Sequence, residues 1–343
     1  MVAARVQVIG VAASLVGLLA VVAGGCANEQ EKKGQELYAH YCMHCHGESG
    51  RQDEGFNWSS MPDPKPKDLS NKSEMSTFKD EEIFDTISRD MKDTSEDGDE
   101  IGDDEFAVPT MPTFKYTLSE DEIWAIVGHV RKLHGMKLEF KVEERKKQLD
   151  EAVKAAQAKF EQASKAYEEA EKKASEEAEK KSEALKKDVD VDESAYADEQ
   201  AAMAQAKKEL DIAQVALNNF STRPGKGTSV PRPDLTITPA QTAELAELGK
   251  RLYSEKYGCN GCHSIGEEGG RVGPPLDRAG FRLNGTWIYR WLKYPQAMKP
   301  ETRMPALGLS DNDAKAVTTY LGTLRAPKAE PPTDKPETEE PAS

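Results

Sequence analysis

The sequence is poor in what one large core would need. Apolar residues make up 37% of its 343 positions and aromatic ones only 7%, below the usual apolar share of a globular chain. A single core over the whole length is excluded, and the length favours two domains with an appendage. Excess positive charge is also missing. With 61 acidic side chains against 46 basic ones the net charge is −15, which argues against a nucleic-acid partner, because phosphate recognition needs a basic face. Cysteine is too sparse for a disulfide scaffold. Its five copies divide into two pairs and an outlier: Cys42 with Cys45, Cys259 with Cys262, and Cys26. Two further absences are local. The 88 residues from Met136 to Arg223 contain no glycine, proline or cysteine, and the thirteen from Asp93 to Glu105 carry eight acids and no base.

The outlying cysteine closes the N-terminal segment. Residues 1–25 hold one charge, Arg5, and an apolar run from Val8 to Gly25, and the chain turns polar directly after Cys26. Small residues, Ala23-Gly24-Gly25, precede that cysteine, an arrangement that resembles a bacterial lipoprotein signal in which Cys26 is lipidated. Leucine is the more usual residue at the position of Ala23. An uncleaved single anchor and an ordinary secretion signal remain open beside this reading. All three export the rest of the chain, and the lipoprotein reading sets the expected location as the periplasmic side of a membrane, anchored there.

Both cysteine pairs are followed by histidine: Cys42-Met43-His44-Cys45-His46 and Cys259-Asn260-Gly261-Cys262-His263. Thiols at this spacing can each form a thioether to a haem vinyl group, and the adjacent histidine then presents its imidazole to the iron. Zinc would want four ligands per site, and a thioredoxin-like motif would want a βαβ surround. Neither pattern is present. Two haem c groups are expected, with His46 and His263 as axial ligands. The remaining histidines, His40, His44, His129 and His134, read as packing or surface residues.

The same phrase precedes each motif, Gly34-Gln35-Glu36-Leu37-Tyr38 and Gly249-Lys250-Arg251-Leu252-Tyr253, and each fits an amphipathic helix. Each half also ends on a Met-Pro pair, Met111-Pro112 and Met304-Pro305, and then a final helix. Ser119 with Glu122 and Ser310 with Asp313 have the form of helix starts. The halves are a divergent internal repeat. Met111 and Met304 are the candidate sixth ligands. A thioether is a weak donor that favours ferrous iron, and a filled sixth position leaves no place for oxygen or peroxide.

Both halves resemble class I cytochrome c domains. Gly273-Pro274-Pro275-Leu276 is similar to the family's Gly-Pro loop, which implies that the Pro274 carbonyl accepts a hydrogen bond from the haem histidine. Trp287, Trp291 and Thr302-Arg303-Met304-Pro305 also follow the family's run; either tryptophan could contact a haem propionate or belong to the core. The first half has no Gly-Pro loop. Its Pro62-Asp63-Pro64-Lys65-Pro66-Lys67-Asp68-Leu69 resembles the proline-rich loop of multihaem cytochromes, which leaves open the carbonyl that backs His46.

Between the halves the charged stretch is heptad-patterned. Leu149, Val153, Ala156, Phe160, Ala163, Tyr167, Ala170 and Ala174 step by four and three, as do Met203, Ala206, Leu210, Ala213, Leu217 and Phe220. Asp188 to Glu193 is the expected turn of an antiparallel hairpin, with pairing to another chain or a solvated single helix as rivals. A sideways docking arm or spacer is the expected role. The acidic stretch Asp93–Glu105 reads as a solvated insertion or a docking patch for a basic partner; its resemblance to a calcium loop is broken by the late Ile101.

The expected fold is therefore all-α, two class I cytochrome c domains separated by a long helical coiled-coil hairpin. The divisions are a signal or anchor at 1–25, a first domain at 30–140, the hairpin at 141–220, a proline-rich linker at 221–239, a second domain at 240–326 and a disordered tail at 327–343. The expected function is single-electron relay between exported or membrane-bound respiratory partners, an oxidase or reductase, with no catalytic residue. A fixed dihaem subunit of a quinol-oxidising or terminal oxidase complex, assembled through the coiled coil, and a dihaem peroxidase are the alternatives.

Overall fold

The computed structural model describes residues 29–55, 65–90, 111–225, 229–230, 235–236 and 239–326. The N-terminal segment with Cys26, the start of the proline-rich loop, the acidic stretch Asp93–Glu105, parts of the 221–239 linker and the 327–343 tail lie outside them. Among the described residues no helix is long and apolar enough to cross a membrane.

The fold is all-α. In chain order the helices are α1 (29–41), α2 (Met43–His46), α3 (Lys72–Met75), α4 (Asp80–Ser88), α5 (Glu120–Leu133) and α6 (Val142–Leu185). Then follow α7 (Ala197–Ser221), α8 (Pro239–Arg251), α9 (Ala279–Arg282), α10 (Gly285–Lys293), α11 (Pro295–Met298) and α12 (Asp311–Thr323). The one departure among the described residues is a two-residue antiparallel pairing of β1 (Ser264–Ile265) with β2 (Glu268–Gly269). The chain groups into two compact units. One draws on Met1–Leu37, Phe78–Phe84 and Leu118–Pro224, the other on Tyr38–Thr77, Asp85–Thr117 and Gly225–Ser343.

In the first unit the start of α1 crosses α5. Gly34 permits the crossing, because a Cβ there would lie 2.1 Å from the Ala125 carbonyl oxygen. Helix α5 opens on a capping box, in which the Ser119 backbone N–H donates to Glu122 Oε2 at 3.1 Å. Its apolar face, Ile123, Ile126, Val127 and Val130, is fully buried. Near its end Arg131 pairs with Asp80 at 2.5 Å, both side chains withdrawn from solvent. The second Asp80 oxygen accepts from the Glu139 and Phe140 amides at 2.7 and 2.9 Å. The buried charge is thus paired and hydrogen-bonded on both oxygens, as it must be away from water.

Helices α6 and α7 form an antiparallel hairpin within one chain. The alternating seam keeps Leu149, Ala156, Ala174, Ala206, Leu210 and Phe220 buried. Across it Ser164 Oγ meets Met203 Sδ at 3.8 Å, Lys159 pairs with Glu209 at 3.1 Å, and Tyr167 meets Tyr196 edge-on at 5.6 Å. Helix α6 runs for 44 residues, about 66 Å at 1.5 Å per residue. It stops at Lys186, whose φ of +48° reverses the chain. At the other end Arg145 pairs with Glu120 at 3.2 Å and Arg223 with Glu122 at 2.8 Å. Both ends of the hairpin are therefore fastened to the first turn of α5.

In the second unit α8 crosses α12 as α1 crosses α5. A Cβ on Gly249 would lie 2.1 Å from the Ala316 carbonyl oxygen. The repeated glycine of the two helix phrases thus serves the same close crossing in each half. Leu252, Tyr257, Ile288, Leu292, Val317 and Leu321 build the core around it. After Arg251 the helix widens into a π turn, Leu252–Lys256, and Gly258 takes a left-handed φ of +56° just before Cys259. Nothing in the apolar spacing announces that widening.

Candidate haem sites

The tyrosine of each repeated phrase supports the motif that follows it. Tyr38 donates from its hydroxyl to the Gly47 carbonyl at 2.8 Å, and Tyr253 to the His263 carbonyl at 3.3 Å. Both rings are buried, and burial pushes both phenols far above their ordinary range. Cys42 is the turn residue between α1 and α2, and Cys45 lies on α2; Cys259 opens a 3-10 turn, and Cys262 follows it. Burial pushes the Cys42 and Cys259 thiols up to about 12, so they are protonated at neutral pH.

Each motif histidine is oriented by a backbone carbonyl. His263 Nδ1 lies 2.8 Å from Pro274 O, and His46 Nδ1 lies 3.1 Å from Lys67 O. The second contact answers the question left open by the missing Gly-Pro loop, since the acceptor is the last lysine of the proline-rich stretch. An Nδ1–H donated to such a carbonyl fixes the ring plane and leaves Nε2 free to accept a metal. Burial depresses the basicity of both imidazoles against the opposing pull of these bonds, which favours the neutral, metal-binding form.

The second site is a cavity of about 530 Å³ whose wall includes Cys259, Cys262, His263 and Met304. Met304 accepts a hydrogen bond on Sδ from Trp291 Nε1 at 2.9 Å, and its carbonyl accepts from Gln296 at 2.7 Å. Trp287 stacks on Trp291, ring centroids 5.1 Å apart, and both indoles line the cavity. Leu276, Ile288, Leu307 and Leu321 add apolar wall, and Lys299, Glu301 and Arg303 also line the cavity. Gly273 lies flat against the imidazole, where a Cβ would approach His263 Cε1 to 2.3 Å. Two thiols, an oriented imidazole, a thioether and greasy walls suit a covalently attached, flat iron macrocycle.

In the first site Met111 is half-buried. Its carbonyl accepts from Arg89 Nη2 at 2.9 Å, and the loop after it is pinned by Phe114 N–H to Ile87 O at 2.9 Å. Lys115 and Tyr116 both reach Asp90, at 2.7 and 2.6 Å. The residues leading into Met111, 91–110, lie outside the described set. His44, between the cysteines, is buried, and burial together with the Arg303 charge lowers its basicity. His40, expected as a packing or surface residue, and Pro112, expected only as the neighbour of Met111, line the second cavity. No motif in the sequence points to that placement.

A cytochrome c family model matches the chain twice, at residues 31–134 and 246–325, which is more than half of its length. The chain belongs to the cytochrome c family. No curated protein and no solved structure matches it. As a cytochrome c, it binds haem c covalently and carries electrons. Each cytochrome c match contains one Cys-x-x-Cys-His motif, with Met111-Pro112 in the first match and Met304-Pro305 in the second.

Proposed function

We propose that this cytochrome c holds two haems and relays single electrons between larger redox partners on the exported side of a membrane. The observation that carries the reading is the paired histidine geometry, with His46 bonded to Lys67 O and His263 to Pro274 O at 3.1 and 2.8 Å. Two Cys-x-x-Cys-His motifs are thus both backed as axial-ligand sites need. When bound, the haem iron supplies a one-electron couple between its ferrous and ferric states.

The chain's own residues do the rest. Cys42, Cys45, Cys259 and Cys262 would anchor the haems, and His46 and His263 would ligate the irons. Met111 and Met304 would supply the sixth ligands, Trp291 holds the Met304 sulfur, and leucine and isoleucine side chains give the second site apolar wall. Saturated coordination limits the protein to electron exchange. Cys26 as a lipidated residue would hold it at the membrane.

The hairpin supports a second partnership, as a fixed subunit of an oxidase or quinol-oxidising complex. Ile212 and Val215, one turn apart on α7, are 61% and 57% exposed, an unusual cost for a solvated helix. Purification in mild detergent separates the two partnerships, since a stoichiometric complex marks the subunit. Haem content by mass and the ferric optical spectrum test the chemistry. Two haems, both low-spin and unchanged by peroxide, are expected. A high-spin five-coordinate haem that reacts with peroxide would turn the reading to a peroxidase.

A further inference from the structure

We infer that the two haem sites abut inside the second unit, and that Thr117 is the positioning residue that sets their register. This rests on the two-haem reading and deepens it by naming the route between the sites. Two independent observations converge.

The first is the wall of the second cavity. Beside Cys262 and Met304 it contains His40 and Pro112, which flank the first motif and follow Met111 directly. The second is the packing of the two methionine loops on each other. Thr117 Oγ1 accepts from the Ala306 backbone N–H at 2.9 Å in a buried contact. One step along, the Tyr116 ring covers Gly308, where φ is +69° and a Cβ would fall 2.3 Å from the ring.

Thr117 lies six residues beyond Met111 and Ala306 two beyond Met304. Their bond therefore ties together the loops that carry both proposed sixth ligands. Exchange between the sites moves one electron: one iron is oxidised as the other is reduced, and no bond or proton changes. Removing the Thr117 hydroxyl would strand a buried N–H and release the register.

The test uses the holoprotein, with haem number from intact mass and coupling from Soret circular dichroism and from electron paramagnetic resonance of the oxidised form. Expected are two haems per chain, a two-signed Soret couplet and magnetically broadened ferric signals. Thr117→Val, the same shape without the hydroxyl, should shrink the couplet at least twofold with both haems still attached; Thr117→Ser should keep it. Two haems with a single-signed Soret band and unbroadened signals would overturn the contact, whether or not the variants fold. An unchanged couplet in Thr117→Val would overturn the role of Thr117. One haem per chain would instead overturn the two-haem reading, and this inference with it.

Discussion

Gly273 shows how little room surrounds the second imidazole. Gly273→Ala would place a methyl group 2.3 Å from His263 Cε1, and either ring or loop must yield, at about 1–3 kcal/mol. Haem attached at Cys259 and Cys262 should fall in this variant while attachment at Cys42 and Cys45 persists, a difference that peptide mass spectrometry resolves. Trp291 acts on potential rather than assembly. Its N–H withdraws density from the Met304 sulfur, which favours the ferrous state. Trp291→Phe should lower the potential of the second site. A bond of about 1 kcal/mol corresponds to roughly 40 mV for one electron, within reach of a redox titration. The roles of these residues were unequally legible. The proline-backed histidine could be expected from Gly273-Pro274, because a local motif carries it. The bond from Trp291 to Met304 could not, because both tryptophans share a helical spacing that fits core packing as well.

Helices α4 and α5 depend on a buried charge that no motif announces. Asp80 binds Arg131 and two amides, and removing one partner of such a pair costs about 3–5 kcal/mol. Asp80→Ala should lower the denaturant midpoint accordingly, with Asp80→Asn intermediate because it keeps one acceptor. The Met111 loop has an acid-sensitive tether. Hydrogen bonds from Lys115 and then Tyr116 hold the Asp90 carboxyl below its ordinary value of 3.8. A depressed carboxylate contributes stability above the unfolded value and loses it as pH falls through the folded one. The tether should therefore hold at neutral pH and weaken below about pH 4. Asp90→Asn should abolish that acid step, followed through the methionine–iron absorption of the ferric protein. Among the elements the hairpin was the most legible, since its three-and-four spacing survives any choice of partner. The π turn at Leu252–Lys256 was not, since one extra residue per turn leaves no trace in an apolar pattern this short.

At the scale of the molecule every proposed haem-binding residue belongs to the second unit, whereas α6 and α7 belong to the first. Shortening the hairpin by equal lengths on both arms should leave haem content unchanged; intact mass would show it, and a chain with fewer haems would contradict the separation. The Thr117–Ala306 contact joins positions 189 residues apart in sequence, and pairings of that range are what sequence periodicity cannot carry. The two ion pairs at the hairpin base bear on the order of events as the chain folds. Arg145 and Arg223 end up on Glu120 and Glu122, so the long insertion returns to the turn it left. Closing a flexible loop of that length would cost about 4 kcal/mol of chain entropy. A hairpin built from neighbouring contacts closes it early. The polypeptide carrying the second Cys-x-x-Cys-His is then delivered beside the first at little kinetic penalty, even though synthesis separates the two by more than half the chain.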